Sequence, residues 1–407
     1  MRDTGRIYLD HAATTPMLPE VARAMHEALL EGFGNPSSVH REGRRARAAV
    51  ERARRQAAAL IGADPEEIIF TGGGTEADNL AIQGAAREAG AGAHIVTTAV
   101  EHHAVLDACE ALESEGYRVT VVPVDGDGRV DPDDVLAALT PDTVLVSVML
   151  ANNEVGTIQP VAEIARRARE RGVLVHTDAV QAVGQIPVDV NELGIDLLSF
   201  SSHKIYGPKG VGALYVRRGV RGRLKPLVYG GGQERRLRPG TENVPGIVGF
   251  GAACEIAARD LAARAGQERR WRDRLIQGLL EAIPGALLNG PAPGQDGAAA
   301  AGGVPGLDGR LSNNVNVSIP DVAVDVLLAQ LDLEGVAASS GSACTAGSVR
   351  PSHVLRAMGR DLDAATHVLR LTVGRSNDDE QIEQALEIIP RAVARLRRAG
   401  RFTVQRG

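Results

Sequence analysis

From residue 67 to residue 216 the chain alternates short apolar runs with helical stretches, and this pattern restricts its fold more than any other feature. The runs are Glu67–Phe70, His94–Thr97, Arg118–Val122, Thr143–Met149, Val173–Thr177, Asp196–Phe200 and Val211–Val216. Between the first five, the spacing predicts helices over Thr75–Ala89, His103–Glu115, Pro132–Leu139 and Val161–Glu170. Strands separated by helices need crossover connections, so the expected fold is α/β, a mostly parallel seven-stranded sheet with helices on both faces. In such sheets ligands bind outside the carboxyl ends of the strands, and the residues just after each run become the candidates for chemistry.

Those residues are distinctive. After Phe70 comes Thr71-Gly72-Gly73-Gly74-Thr75-Glu76, leading straight into a helix. Glycines permit a tight turn, and free amides at a helix N-terminus cradle phosphate, with the Thr75 hydroxyl beside them. No lysine follows the glycines, so this is not a Walker loop, and the dinucleotide fingerprint is absent too. After the His94 run stands His102, either a stacking or proton-carrying imidazole or a helix cap. After the Thr143 run stand Asn152 and Asn153, amides suited to fixing a ligand. After the Val173 run stand Asp178 and Gln181. A carboxylate there can pair with a protonated ring nitrogen or cap the next helix.

Lys204 lies in SFSSHKIYGPKG, a polar, glycine-flanked turn between two apolar runs. An enclosed amine loses part of its preference for charge and can condense with an aldehyde, whereas a solvent-facing loop lysine cannot be distinguished from it locally. A phosphate cup, an imidazole, an amide, a carboxylate and a lysine at successive strand ends together match the binding needs of pyridoxal 5'-phosphate.

The 407 residues allow one large and one smaller domain. A strand-like IYLD, the segment HAATTP, helices over Pro19–Glu31 and Arg41–Ile61 and the loop GFGNPSSVH precede the main alternation. A long helix over Val244–Ile283 leaves it, and Gly285–Leu311, rich in glycine, proline and alanine, reads as a loop with little structure of its own. A second alternation follows: Asn314–Ile319, helix Val324–Leu333, Val336–Ser340, helix Ser352–Met358, His367–Val373, helix Asp379–Arg398. The expected division is a large domain over 16–258 and a small α+β domain built from 1–15 and 259–407.

A net charge of -6 argues against nucleic acid as a partner, and the basic clusters Arg41–Arg55 and Arg395–Arg406 read as solvated helix faces or a tail. Three cysteines, Cys109, Cys254 and Cys344, are too few and scattered for a disulfide framework or a four-ligand zinc site, and fit a reducing, cytoplasmic setting. No leader pattern precedes IYLD and no apolar run spans a bilayer, so neither secretion nor membrane insertion is expected.

HAATTP, GNPSS, TGGGTEADN, EHHAVLD, NNEVG, HTDAVQAVG, SFSSHKIYGPKG, RPGTENVPG and SSGSACTAGS occur in this order, and the stretch from about residue 7 to 392 resembles the NifS/IscS-type cysteine desulfurases. These belong to the class V branch of the fold-type I pyridoxal-phosphate enzymes. The resemblance implies that Lys204 holds the cofactor covalently, His102 stacks on its ring, Asp178 pairs with the ring nitrogen and Gln181 with the phenolic oxygen. It implies that Thr75, Ser201 and His203, with the Gly74 turn, hold the phosphate, and that Thr241 reaches the phosphate of a neighbouring subunit in a homodimer. Asn153 and Arg375 would hold the carboxylate of the substrate, L-cysteine, and Cys344 would accept its sulfur as a persulfide while L-alanine leaves.

An iron-sulfur scaffold or another sulfur acceptor is the implied partner. The long form of the cysteine segment, ACTAGSVRPSHVLRAMG, is similar to the group I enzymes. Two departures stand out: Gly74 replaces a frequent alanine, and the insertion around Gly294–Arg310 has no counterpart. Cys109 and Cys254 read as small buried hydrophobes. Another class V enzyme, an aminotransferase or selenocysteine lyase with Cys344 incidental, and a non-catalytic scaffold for a sulfur carrier are the alternatives.

Overall fold

A computed structural model describes residues 5–294, 309–340 and 351–404. The N-terminal part is β1 (Ile7–Tyr8), α1 (Pro19–Glu31) and α2 (Arg41–Leu60). The main alternation is β2 (Ile68–Thr71), α3 (Gly74–Ala89), β3 (His94–Thr98), α4 (His103–Ser114), β4 (Arg118–Val122), α5 (Pro132–Ala137), β5 (Thr143–Ser147), α6 (Val161–Arg169), β6 (Leu174–Asp178), α7 (Val190–Leu193), β7 (Leu197–Ser201) and β8 (Gly212–Val216). Helix α8 (Val244–Ala282) leads to β9 (Leu287–Leu288), β10 (Asn314–Ser318), α9 (Val324–Leu333), β11 (Val336–Ala337), α10 (His353–Ala357), α11 (Leu362–Thr366), β12 (Val368–Thr372) and α12 (Asp379–Val404).

Strands β2 to β8 form one seven-stranded sheet in the order β2-β8-β7-β6-β5-β3-β4. Only β8 is reversed, pairing antiparallel with both β7 and β2. The segment between β7 and β8 is too short for a helical crossover, so the chain turns back on itself there. Because β2 and β7 both oppose β8, β2 runs with the parallel set and its cup lies at the same sheet edge as the ends of β6 and β7. The buried strands read as continuous apolar runs because both faces are covered.

A second sheet, β12-β10-β9, is antiparallel, and a β1-β11 pair lies beside it. Its core gathers Ile7 and Leu9 from the chain start with Leu275, Val315, Leu371 and Ile389. Helix α8 serves both cores: Val248 and Phe250 pack with the large sheet, Leu275 and Leu279 with the small one. Its N-terminal half presses against α2, where a Cβ on Gly251 would lie 2.6 Å from the Ala53 Cα.

Two readings are corrected. The segment Gly285–Leu311 is not featureless: Leu287–Leu288 extend the small sheet, and Arg310 is fully buried, its Nε donating to the Pro291 carbonyl at 2.7 Å. The same guanidinium donates to the Asn289 carbonyl, so Arg310 holds the described strand-end residues Asn289–Pro291, a role that glycine-rich composition hides. In the basic cluster of α2, Arg54 is no solvated residue. It is buried and forms a bidentate pair with Glu234, 2.8 and 2.7 Å, while Glu234 also accepts the Phe70 amide. Among the described residues no helix is long and apolar enough to cross a membrane.

Candidate active site

At the carboxyl edge of the large sheet a cavity of about 200 Å³ is lined by Gly74, Thr75, Asp78, His102, Met149, Asn153, Asp178, Val180, Gln181, Ser201, His203 and Lys204. Apart from Asp78 of α3, the lining residues lie at or shortly after strand ends. Ser201 closes β7, and His203 and Lys204 follow in a single 3-10 turn. The Lys204 Nζ donates to the carbonyls of Ala12 and Ala13, the latter at 2.9 Å, so HAATTP is a strap drawn across the lysine turn. The same strap receives the Gln181 Nε2, which donates to the Ala12 carbonyl at 3.0 Å.

The glycine cup opens α3 with Gly73 at the N-cap and no side chain capping the first amides. Gly74 packs tightly: a Cβ there would meet Val180 Cγ2 at 2.6 Å, so an alanine would require that methyl to move. Glu76 on the rim is neutralised: its carboxylate accepts from Gly72 N at 2.8 Å and from Arg238 Nε at 2.9 Å. The Ser201 Oγ is buried without a hydrogen-bond partner, aimed into the cup. His203 shares a hydrogen bond with Thr14 Oγ1 at 3.1 Å, and burial together with Lys204 and Lys209 lowers its pKa to about 4. A neutral imidazole, a hydroxyl and helix-start amides suit a phosphate dianion.

Facing the cup, Asp178 ends β6, buried, with Oδ1 accepting the Val180 amide at 2.8 Å. Burial pushes its pKa up, while His102 and Lys204 oppose the rise. A cationic ring N–H against this carboxylate would offset its desolvation. His102 caps α4, its Nδ1 accepting the Ala104 amide at 3.1 Å, and its ring also lines the cavity. Burial depresses its pKa, so the ring is neutral. Asn152 is structural, its Oδ1 taking the Glu154 and Val155 amides, and only Asn153 reaches the cavity.

The carboxyl groups near Asp178 left no sequence signal, because they lie within helical or strand-end patterns. Asp78 of α3 is buried, and its pKa is raised well above the usual range by burial and by Asp178. Glu101 is fully buried, accepting from Thr98 Oγ1 at 2.6 Å and Met149 N at 2.9 Å, with a pKa raised to about 8, mainly by burial. The unfolded chain releases this proton near pH 4.5 whereas the folded chain holds it to about 8, so wild-type stability falls as pH rises through that window. Glu101→Gln removes the titration. Its unfolding free energy relative to wild type is expected to rise by about 1–3 kcal/mol between pH 5 and 8 in urea melts. A constant difference would show that Glu101 ionises normally.

Two predicted residues, Thr241 and Arg375, stand apart from the cavity lining. Thr241 is exposed. Arg375 pairs through Nη1 with Asp260 Oδ2 at 2.9 Å. Cys344 lies outside the described residues. Cys109 and Cys254 are buried free thiols, and burial pushes the Cys109 pKa up to about 12 and that of Cys254 higher still.

The aminotransferase class-V family model matches residues 7–385. The cysteine desulfurase IscS of Dictyoglomus turgidum (strain DSM 6724 / Z-1310) is 47% identical over 392 residues, 96% of this chain and 95% of its own length. Among solved structures, a NifS-like protein superposes with a TM-score of 0.86 at 38% identity, covering 96% of this chain and 99% of that one. The structure titled SspA in complex with cysteine gives a TM-score of 0.76 at 35% identity, covering 90% and 98%. Family match, near-full-length identity and fold agree with the groups gathered at the sheet edge: the chain belongs to the class-V aminotransferase family, among its cysteine desulfurases.

Proposed function

We propose that the chain is a pyridoxal-phosphate-dependent cysteine desulfurase that converts L-cysteine to L-alanine and keeps the sulfur as a persulfide on Cys344. The observation that carries this reading is the convergence of Lys204, Asp178, His102, Gln181 and the Gly74–Thr75 cup on one cavity. When bound, pyridoxal phosphate supplies an aldehyde carbon to hold an amine and a conjugated ring to accept electrons from the substrate α-carbon. The protein supplies the rest. Amides of the α3 start, Thr75, Ser201 and neutral His203 would hold the phosphate, Asp178 would keep a proton on the ring nitrogen, and Gln181 would orient the phenolic oxygen; their shared cavity supports this.

Lys204 Nζ, which donates to the Ala13 carbonyl, and neutral His102 would accept and deliver protons in this cavity. Asn153 and Arg375 take the substrate carboxylate. The Cys344 thiolate attacks the substrate sulfur, an S–S bond forms as the carbon–sulfur bond breaks, and the protonated carbon skeleton leaves as L-alanine. The buried Cys109 and Cys254 thiols support Cys344 as the acceptor, since a raised pKa denies them the thiolate.

We infer a homodimer in which Thr241 completes the phosphate site of the partner copy. Leu29, Leu30, Phe33, Val228 and Tyr229, exposed in one chain, support an apolar interface. Residues 16–258 would then bind cofactor, with 1–15 and 259–407 as the domain carrying Cys344, and an iron-sulfur scaffold or other acceptor would take the persulfide. Unbridged buried thiols support a reducing cytoplasm.

The test is incubation of holoenzyme with L-cysteine followed by mass spectrometry. A sulfur added to the Cys344 peptide and stoichiometric alanine are expected. Pyruvate without alanine, or an unmodified peptide, would overturn the reading.

A further inference from the structure

Tyr206 follows Lys204 by two residues, and its φ of 68° is left-handed, a conformation that a bulky residue keeps only where its surroundings hold it. They do so from several sides. Its amide donates to Thr15 Oγ1 at 2.8 Å, and its carbonyl accepts from Leu18 N at 3.1 Å. Its ring is buried and meets His11 of the strap at 5.9 Å between centroids. Its hydroxyl accepts the Arg375 amide at 2.8 Å, and the Arg375 guanidinium carbon lies 5.4 Å over the ring centroid. Gly374 has no side chain where any Cβ would collide with the Tyr206 hydroxyl and the His11 ring. One side chain therefore ties the lysine turn of the large sheet to the strand end that carries Arg375.

A guanidinium grips a carboxylate through two parallel hydrogen bonds only when its plane is correctly aimed. The guanidinium lies over the Tyr206 ring with Nη1 on Asp260 Oδ2 at 2.9 Å, and the Tyr206 hydroxyl fixes the Arg375 backbone from which the side chain starts. We propose that Tyr206 is a positioning residue that fixes the span between the Lys204 amine and the Arg375 guanidinium, and thereby selects amines that carry a carboxylate on the same carbon. The proposal rests on the reading of Arg375 as the carboxylate ligand. Tyr206 touches no reacting atom and acts through Arg375.

The test uses holoenzyme carrying Tyr206→Phe, which keeps ring and volume and removes only the acceptor. The equilibrium dissociation constant for L-alanine, read from cofactor absorbance, and the KM for L-cysteine are expected to rise about fivefold to tenfold, the scale of one lost hydrogen bond. Three quantities are expected to stay unchanged: kcat, the absorbance maximum before ligand is added, and the affinity for ethylamine, which lacks the carboxylate. Tyr206→Leu, which also removes the stacking face, is expected to weaken L-alanine by about 100-fold, a misplacement effect, with ethylamine again unaffected.

An unchanged L-alanine constant in Tyr206→Phe overturns the proposal, as does an equal loss for ethylamine, since that marks a structural role. Arg375→Ala separates the two readings. If it still prefers L-alanine over ethylamine, Arg375 is not the carboxylate ligand. If that preference collapses while Tyr206→Phe binds normally, only the role of Tyr206 falls.

Discussion

Lys204→Ala is expected to lose the visible absorbance of bound cofactor on dialysis and to lower turnover of L-cysteine by at least about 10⁴-fold, the scale seen when a covalently reacting group is removed. That corresponds to about 5.5 kcal/mol of barrier. The fold should survive. The lysine donates to carbonyls of the Ala12–Ala13 strap, and Ala12 keeps the hydrogen bond from Gln181 Nε2 at 3.0 Å. The strap also keeps Ala12 N on Thr372 Oγ1 at 2.8 Å and Thr15 Oγ1 on the His203 carbonyl at 2.8 Å. Lys204→Arg isolates the chemistry from the charge: it keeps a cation of similar reach that cannot condense with an aldehyde, and it should be as inactive as alanine. Absorbance spectra, turnover and a thermal melt check all three points. Turnover in either variant within tenfold of wild type would exclude Lys204 as the cofactor lysine.

Cys344→Ser is expected to lower sulfide release from L-cysteine by at least about 10³-fold, because a hydroxyl at neutral pH offers almost no anion where a thiol offers a few per cent. L-alanine binding and cofactor absorbance should be untouched, which separates this loss from that of Lys204→Ala. Cys109→Ser and Cys254→Ser are the matched controls. Both thiols are buried with raised pKa values, so these variants should keep sulfur transfer even where stability drops. Sulfide release that survives in Cys344→Ser would return the chain to the other class V chemistries, an aminotransferase or a selenocysteine lyase.

Most of the cavity lining was legible because it obeys a local rule. Thr75, Asp178, Ser201 and Lys204 sit at or just after strand ends, and strand ends are visible as boundaries of apolar runs. His102 was legible as a cap, and one ring nitrogen does cap α4 while the ring lines the cavity. Asp78 and Glu101 escaped notice because a carboxylate on a helix or after a strand looks solvated until its neighbours are known. Arg54 escaped for the same reason, hidden among exposed arginines until Glu234, 180 residues away in sequence, came to meet it.

The amino-acid pattern alone determined the strand and helix alternation, the cup, the order of the strand-end groups and the family, because periodicity, glycine placement and motif order are properties of neighbouring residues. Only the tertiary structure decided that β8 runs against its neighbours, that HAATTP straps the lysine turn, and that Tyr206 joins that turn to Arg375. The strap and the Tyr206 tie join segments 191 and 169 residues apart, with energies from burial and hydrogen bonds that form only when the chain is folded, and no local pattern encodes such a meeting.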